Sequence, residues 1–155
     1  MVIHTPCPRN RFGIHFVMLS RLWRRSLDQK MAAAGFADIS WSPLIHLAES
    51  GDGVSQKALA ALVGIDGSSL VRLLDTLESR GHIQRCPCPD DRRVKLVMLT
   101  ADGQQMVHTI RDHLERIERE MLQDLDDEQL LAMLGGFDRI KDRLALMAES
   151  TGHGQ

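Results

Sequence analysis

The stretch SQKALAALVGIDGSSLVRLLDTLESRGHIQRCPCPDDRRVKLVMLT, residues 55–100, decides how the chain folds. It opens on Ser55, whose hydroxyl suits a helix N-cap, where it accepts a hydrogen bond from a backbone N–H that has no partner inside the helix. A short helix over 55–63 follows, with Ala58, Leu59 and Leu62 as its expected buried face. Gly64-Ile65 is a turn. Asp66 caps a second helix, which runs to about residue 80 and stops at Gly81. Leu70, Leu73, Leu74 and Leu77 make one stripe along it, leaving Gly67, Ser68, Ser69, Arg72 and Thr76 for the other faces. Past Gly81 the helical period is lost. Residues 82–86 read as a strand, 87–91 as a turn with two prolines and two aspartates, and 93–99 as the return strand.

Outward from this centre the chain reads as helices. Phe12, Phe16, Leu19, Trp23 and Leu27 recur at spacings of three to four, predicting a helix over 11–34 that ends at Gly35. A second spans 42–50, with Pro43 tolerated in its first turn and Leu44, Ile45 and Leu47 facing inward. Thr100 caps a long helix to about residue 125, striped by Met106, Ile110, Leu114, Ile117 and Met121. Asp126 begins the last helix, with Gln129 at the capping-box position and Leu130, Leu134, Phe137, Ile140, Leu144 and Met147 on its apolar side. Gly135-Gly136 marks a bend or a close crossing. The expected fold class is mainly α with a small β-hairpin wing.

Composition bounds the function. Hydrophobic residues make up 43% of the 155 and charged residues 26%, ordinary for a globular protein. With no Tyr and few aromatics, aliphatic side chains must fill the core. No apolar run reaches the ~18 residues of a membrane span. The first eleven residues lack the apolar stretch of a secretory signal. Three cysteines are an odd number that fits a reduced, cytoplasmic chain better than a disulfide framework. The net charge of −2 divides unevenly: residues 1–50 hold six Lys/Arg and three Asp/Glu, 51–104 seven of each, and 105–155 six and eleven. A chain of this charge needs local basic contacts to hold nucleic acid, and its acidic last third is expected to face away from it.

The order of helix, tight turn, helix and arginine-tipped hairpin is that of a winged helix-turn-helix. A recognition helix entering a major groove about 12 Å wide needs small polar residues near its N-terminus. Gly67, Ser68 and Ser69 meet that need, with Ser55 and Gln56 on the preceding helix. Ser68 and Ser69 are expected to reach phosphates or base edges, and Arg72, one turn later, to make a charged contact. The hairpin tip offers Arg92 and Arg93 to a neighbouring minor groove, where a narrow A·T tract attracts arginine. Asp91 is placed to orient Arg93 by a charge-assisted hydrogen bond.

The residues Ser55-Gln56, Leu59-Ala60, Leu62, Gly64-Ile65, 69–78, Gly81-His82-Ile83, Asp91-Arg92-Arg93 and Leu99-Thr100 closely resemble the MarR family, especially its SlyA-like branch. The resemblance covers about 60 residues. It implies a homodimeric regulator of transcription, often a repressor, binding a pseudo-palindromic operator in double-stranded DNA. The N-terminal helix and the last two helices would form the dimer interface, dividing the chain into 1–36, 37–104 and 105–155. The long amphipathic helices argue for a second chain independently, since the small winged centre cannot cover them all. The resemblance also implies release by a small aromatic or phenolic acid. His15, Trp23, Trp41 and His46 lie where the family builds its ligand crevice, as candidates for stacking and for a polar handle.

Other chemistries find less support. Cys86 and Cys88 form Cys-Pro-Cys in the wing, open to a thiol-based redox or metal switch or to two incidental thiols; the spacing is not that of a zinc site. Cys7 precedes the first helix, and residues 12–16 there read Phe-Gly-Ile-His-Phe, unlike the peroxide-sensing members of the family. His108 and His113 are five apart and share a helix face poorly, so no metal is expected. Ser68, His82 and Asp91 have structural explanations before a catalytic one. The segment 64–67 is too short for a phosphate loop and lacks its Lys. No cofactor and no enzymatic activity are expected. A winged module that binds another protein instead of DNA is the alternative from a different class.

Overall fold

The computed structural model describes residues 7–51, 53–91 and 93–152, with residues 151 and 152 described by backbone alone. It divides into two compact units, Met1–Ile117 and Glu118–Gln155. In chain order the elements are α1 (Pro8–Met31), α2 (Trp41–Ser50), β1 (Val54–Ser55), α3 (Gln56–Val63), α4 (Gly67–Ser79), β2 (Ile83–Pro87), β3 (Lys95–Leu99), α5 (Ala101–Met121) and α6 (Asp127–Gly152). The fold is mainly helical, with a small antiparallel sheet of order β1-β3-β2.

In the first unit α1 begins three residues before the expected start, because Pro8 supplies a preset φ at the helix entry. Its end widens into a π turn, Ala32–Phe36, that breaks at Gly35, where φ is 97°. Helix α2 starts at Trp41, and its buried side is Ser42, Pro43, Leu44 and Leu47, with Ile45 half-buried. The expected hairpin forms, its first strand moved on by one residue and its second beginning two residues later, at Lys95, with Ile83 opposite Leu99 and Pro87 opposite Lys95. The strand Val54–Ser55 escaped the sequence reading. It is only two residues long and carries no alternation, yet it pairs Val54 with Val97 and Ser55 with Leu96.

Helix α3 corrects the expected buried face. Leu59, Ala60 and Val63 are buried, whereas Ala58 is exposed and Leu62 is 48% exposed. The cap sets this phase: Ser55 Oγ accepts from Ala58 N at 3.2 Å, so residue 58 lies beside the cap. At the far end Gly64 takes φ 75°, a left-handed turn that costs a side-chain-bearing residue energy. Helix α4 seals the core with Leu70, Leu74 and Leu77, each fully buried, and Leu73 half-buried. Side chains of this size are worth about 1.5–3 kcal/mol each when removed from water.

Helix α5 ends at Met121, four residues short of the expected end, in a turn closed by Leu125 N donating to Leu122 O. Its buried positions are Gly103, Val107, Ile110 and Ile117, while Met106, Leu114 and Met121 are half-buried. In the second unit α6 carries the expected capping box: Gln129 N donates to Asp126 Oδ1 at 2.8 Å and Asp126 N to Gln129 Oε1 at 3.0 Å. The helix runs through Gly135 and Gly136 without a break. Its described side chains include none that is buried, and Leu131, Leu134, Leu144, Leu146 and Met147 are each more than half exposed.

Candidate nucleic-acid interface

The N-terminus of α4 is organised by one carboxylate. Asp66 Oδ1 accepts from Ser69 N at 2.9 Å and from the Ser68 hydroxyl, and Oδ2 accepts from Ser69 Oγ at 2.6 Å. The hydroxyl of Ser68, then that of Ser69 and its backbone N–H, hold the Asp66 carboxyl well below the usual carboxylate range. Both serine protons are thereby committed to Asp66. The serine oxygens can still accept, which suits amino groups on cytosine or adenine edges and does not suit phosphate oxygens. Gly67 is exposed at the first helical position.

Arg72 stands one turn further along, exposed, with no ion pair among the described residues. Its carbonyl accepts from Thr76 Oγ1 at 3.2 Å, leaving the guanidinium unengaged by that contact. At the entry to α3 the Ser55 oxygen accepts its capping bond, which leaves the hydroxyl proton available, and Gln56 is half-buried at the first helical position.

The wing tip has the expected local geometry. Asp91 Oδ1 accepts from Arg93 N at 3.0 Å and from Arg93 Nε at 3.3 Å. Arg93 is nonetheless 93% exposed, so Asp91 aims it without burying it. The loop closes with Val94 N donating to Asp91 O and Cys88 N to Val94 O. Arg92 lies outside the described residues.

The wing is tied to the recognition helix by a residue the sequence reading passed over. Arg85, on β2 and only 17% exposed, reaches Glu78 and Asp75 of α4, with Nη2 to Asp75 Oδ1 at 2.6 Å. The bond from Arg85 holds the Glu78 carboxyl below its ordinary 4.5, and the two carboxylates raise the Arg85 guanidinium above its own. The signal was present in the spacing: Asp75 and Glu78 are three apart, on one helix face, ahead of a strand holding a single cation.

The expected ligand contacts are His15, Trp23, Trp41 and His46. A cleft of about 270 Å³ is lined by Arg24, Phe36, Ile39, Trp41, Pro43 and Ile65 among others, and of the four only Trp41 lines it. The Arg24 guanidinium lies 5.5 Å from the centre of the Trp41 ring. His15 is exposed on α1, its Nδ1 donating to Arg11 O at 2.9 Å. Trp23 and His46 are half-buried and are not among the residues lining the cleft. No group of three or more His, Cys, Asp or Glu gathers to hold a metal among the described residues. His113 packs edge-on against Phe36 at 5.0 Å.

Two helices joined by a left-handed glycine, a capped recognition helix and a sheet ending in an exposed arginine define a winged helix-turn-helix protein. Residues 34–94 match the model of the MarR family. Over 86% of this chain and 98% of the other, the sequence is 32% identical to the transcriptional regulator PA3341, whose crystal structure superposes with a TM-score of 0.74. A MarR-family regulator from Rhodococcus sp. RHA1 is 24% identical over 88% of this chain and 96% of its own, with a TM-score of 0.74. CouR from Rhodococcus jostii RHA1, solved bound to p-coumaroyl-CoA, is 22% identical over 88% and 95%, with a TM-score of 0.69. The chain belongs to the MarR family of transcriptional regulators, which are DNA-binding proteins and not enzymes. No helix among the described residues is long and apolar enough to cross a membrane.

Proposed function

We propose that the chain is a cytoplasmic repressor of the SlyA-like branch that binds a pseudo-palindromic operator in double-stranded DNA as a homodimer. The observation that carries this reading is the Arg85 clamp, which holds the wing, with its exposed Arg93, at a fixed position beside the recognition helix. Residues 37–104 form the DNA-binding domain, while 1–36 and 105–155 supply the dimer contacts. Ser68 and Ser69 accept from base amino groups, and Arg72 donates to guanine. Arg92 and Arg93, steered by Asp91, enter the minor groove. Ser55, Gln56 and Gly67 border the DNA backbone.

The dimer reading is supported by exposed apolar residues on both terminal helices. Helix α1 exposes Ile14, Met18 and Leu22, each more than half, and α6 exposes Leu131, Leu134 and Leu144. Such surface is normally covered by a partner.

A small aromatic or phenolic acid releases the DNA in this reading. Trp41 offers a stacking face in a cleft of about 270 Å³, close to the lower end of the ~300–1,000 Å³ usual for ligand sites, and Arg24 beside it would have to exchange its ion pair with Asp28, at 3.5 Å, for the ligand's carboxylate. That CouR was solved with an aromatic acyl thioester adds support from the fold. His15, Trp23 and His46 do not line this cleft and take no part in the ligand contact proposed there.

Selection of bound fragments from random duplex DNA, followed by footprinting, tests the proposal. The expected site is an inverted repeat with half-sites about 10–10.5 base pairs, or a multiple, apart. Binding without sequence preference and without steep salt dependence would instead favour a protein-interaction module.

A further inference from the structure

We propose that Cys86 and Cys88 form a two-thiolate site in the wing for a soft, thiophilic centre: monovalent copper, divalent mercury or a trivalent arsenical. Both thiols are free and half-buried. The register pairs Cys86 with Leu96 and Pro87 with Lys95, and Cys88 N donates to Val94 O at 2.8 Å, continuing the ladder by one pair. Residues two apart on an extended strand share a face, so alternation sets both thiols on one side of the sheet. Arg85 and its clamp to α4 occupy the other. Val94 and Leu96, opposite the two cysteines, make the surroundings apolar. Met98, paired with Gln84, adds a thioether at the position diagonal to Cys86.

The spacing discriminates between ligands. Strand geometry separates the two Cα atoms by about 6.6 Å with side-by-side Cβ atoms, whereas a disulfide needs Cβ atoms about 3.5–4.5 Å apart. Direct oxidation to a disulfide therefore requires the strand to break. An interposed centre does not, because it adds two bonds to sulfur of about 2.3 Å each, the length of a zinc–thiolate bond. Zinc itself would want four ligands, and no third His, Cys, Asp or Glu joins the pair among the described residues. Two thiolates alone suit soft centres of low coordination number. On binding copper or mercury, each thiol loses its proton to solvent as its metal–sulfur bond forms. With an organoarsenous acid two As–S bonds replace two As–OH bonds, and the thiol protons leave with the hydroxyls as two waters. No atom is oxidised or reduced.

The test uses the full, reduced chain with cuprous ion, mercuric chloride and phenylarsine oxide in separate arms. Native mass spectrometry gives stoichiometry and chelator or dithiol competition gives affinity. One equivalent per chain is expected in at least one arm, and that arm identifies the centre. Cys86→Ser and Cys88→Ser should each weaken binding by about a hundredfold, the advantage of a second ligand held nearby. Cys7→Ser should not change it. Cys86→Ala and Cys88→Ala, checked for native circular dichroism, separate lost ligation from lost folding. Wild-type affinity in either single variant, loss of binding on Cys7→Ser, equally tight zinc, or no binding in all three arms would overturn the proposal.

Discussion

Arg85 and Glu78 meet end to end across the junction of wing and recognition helix: the Arg85 backbone N–H donates to Glu78 Oε1 at 3.1 Å and its Nε to Oε2 at 3.0 Å. A strand is thus fastened to the preceding helix by backbone and side chain together, with Nη2 shared between Glu78 Oε2 and Asp75 Oδ1. Charge-assisted bonds of this kind exceed an ordinary surface ion pair, though Asp75 and Glu78 remain open to water.

Arg85→Ala should therefore destabilise the chain by about 1–2 kcal/mol, read as a lower urea midpoint with an unchanged slope. The same bond carries a pH dependence. Because Arg85 lowers the Glu78 carboxyl below 4.5, its contribution is complete above pH 4.5 and lost as pH falls through the folded value. Stability of the wild type should thus fall more steeply below pH 4.5 than that of Glu78→Gln. Parallel acid profiles for the two proteins would refute this role for the pair.

Gly103 is the point where α5 meets the turn after the recognition helix. A Cβ there would overlap the His82 carbonyl oxygen, which is backbone and cannot rotate away. Thr100 fastens the same junction: its Oγ1 donates to Gly81 O and accepts from Gly103 N at 3.0 Å, while its N–H donates to His82 O. Gly103→Ala should cost about 1–3 kcal/mol from overpacking, despite a gain of up to ~1 kcal/mol in helix propensity. Thermal unfolding checks the sign, and a stabilised variant would mean that the junction is loose.

Much of this was readable in the sequence because it is local. Ser55, Asp66, Thr100 and the Asp126–Gln129 pair announce helix starts through side chains that act within three residues. Asp91 and Arg93 are two apart. What escaped is long-range. The strand Val54–Ser55 exists only because Val97 and Leu96 are there to pair with, 43 and 41 positions away in the register. Arg85 reads as an ordinary strand cation until α4 brings Asp75 and Glu78 beside it. The buried face of α3 slipped by one position because Leu59 with Leu62 and Leu59 with Ala60 and Val63 fit the helical period equally well. The cap and the packed neighbours chose between them. Trp41, Trp23, His15 and His46 show the same limit, since helical spacing gives no view of which side chains converge on one cleft.

Arg93→Ala should weaken operator binding by about 1–3 kcal/mol at fixed salt, if Arg93 reads the groove as proposed. Asp91→Ala keeps the cation but frees it, so its loss should be smaller and appear as relaxed preference for A·T flanks. Ser68→Ala and Ser69→Ala should relax preference within the half-site and leave the salt slope unchanged, because oxygens that only accept make no phosphate contact. Arg72→Ala should lower both affinity and preference. Fluorescence anisotropy on matched and altered operators over a salt series separates these outcomes, and an unchanged affinity for Arg93→Ala would remove the wing from the interface.

The exposed apolar side of α6 gives the dimer proposal its own test. Leu134 and Leu144 are 57% and 59% exposed, and among the described residues of α6 no side chain is buried. A helix of this kind gains little by standing alone in water, and in a two-fold dimer each of its residues is used twice. Leu134→Glu would then place two carboxylates in an apolar contact. A cost of several kcal/mol is expected for unpaired charge in such a place, enough to raise the dimer dissociation constant by more than about a hundredfold. Sedimentation equilibrium should find wild type dimeric and Leu134→Glu monomeric at micromolar concentration. The core of the first unit is built from other residues, Leu44, Leu59, Leu70, Leu74 and Ile110, so its near-native circular dichroism should persist. A wild-type monomer, or a Leu134→Glu variant that dimerises as before, would show that this face is covered by something other than a second copy.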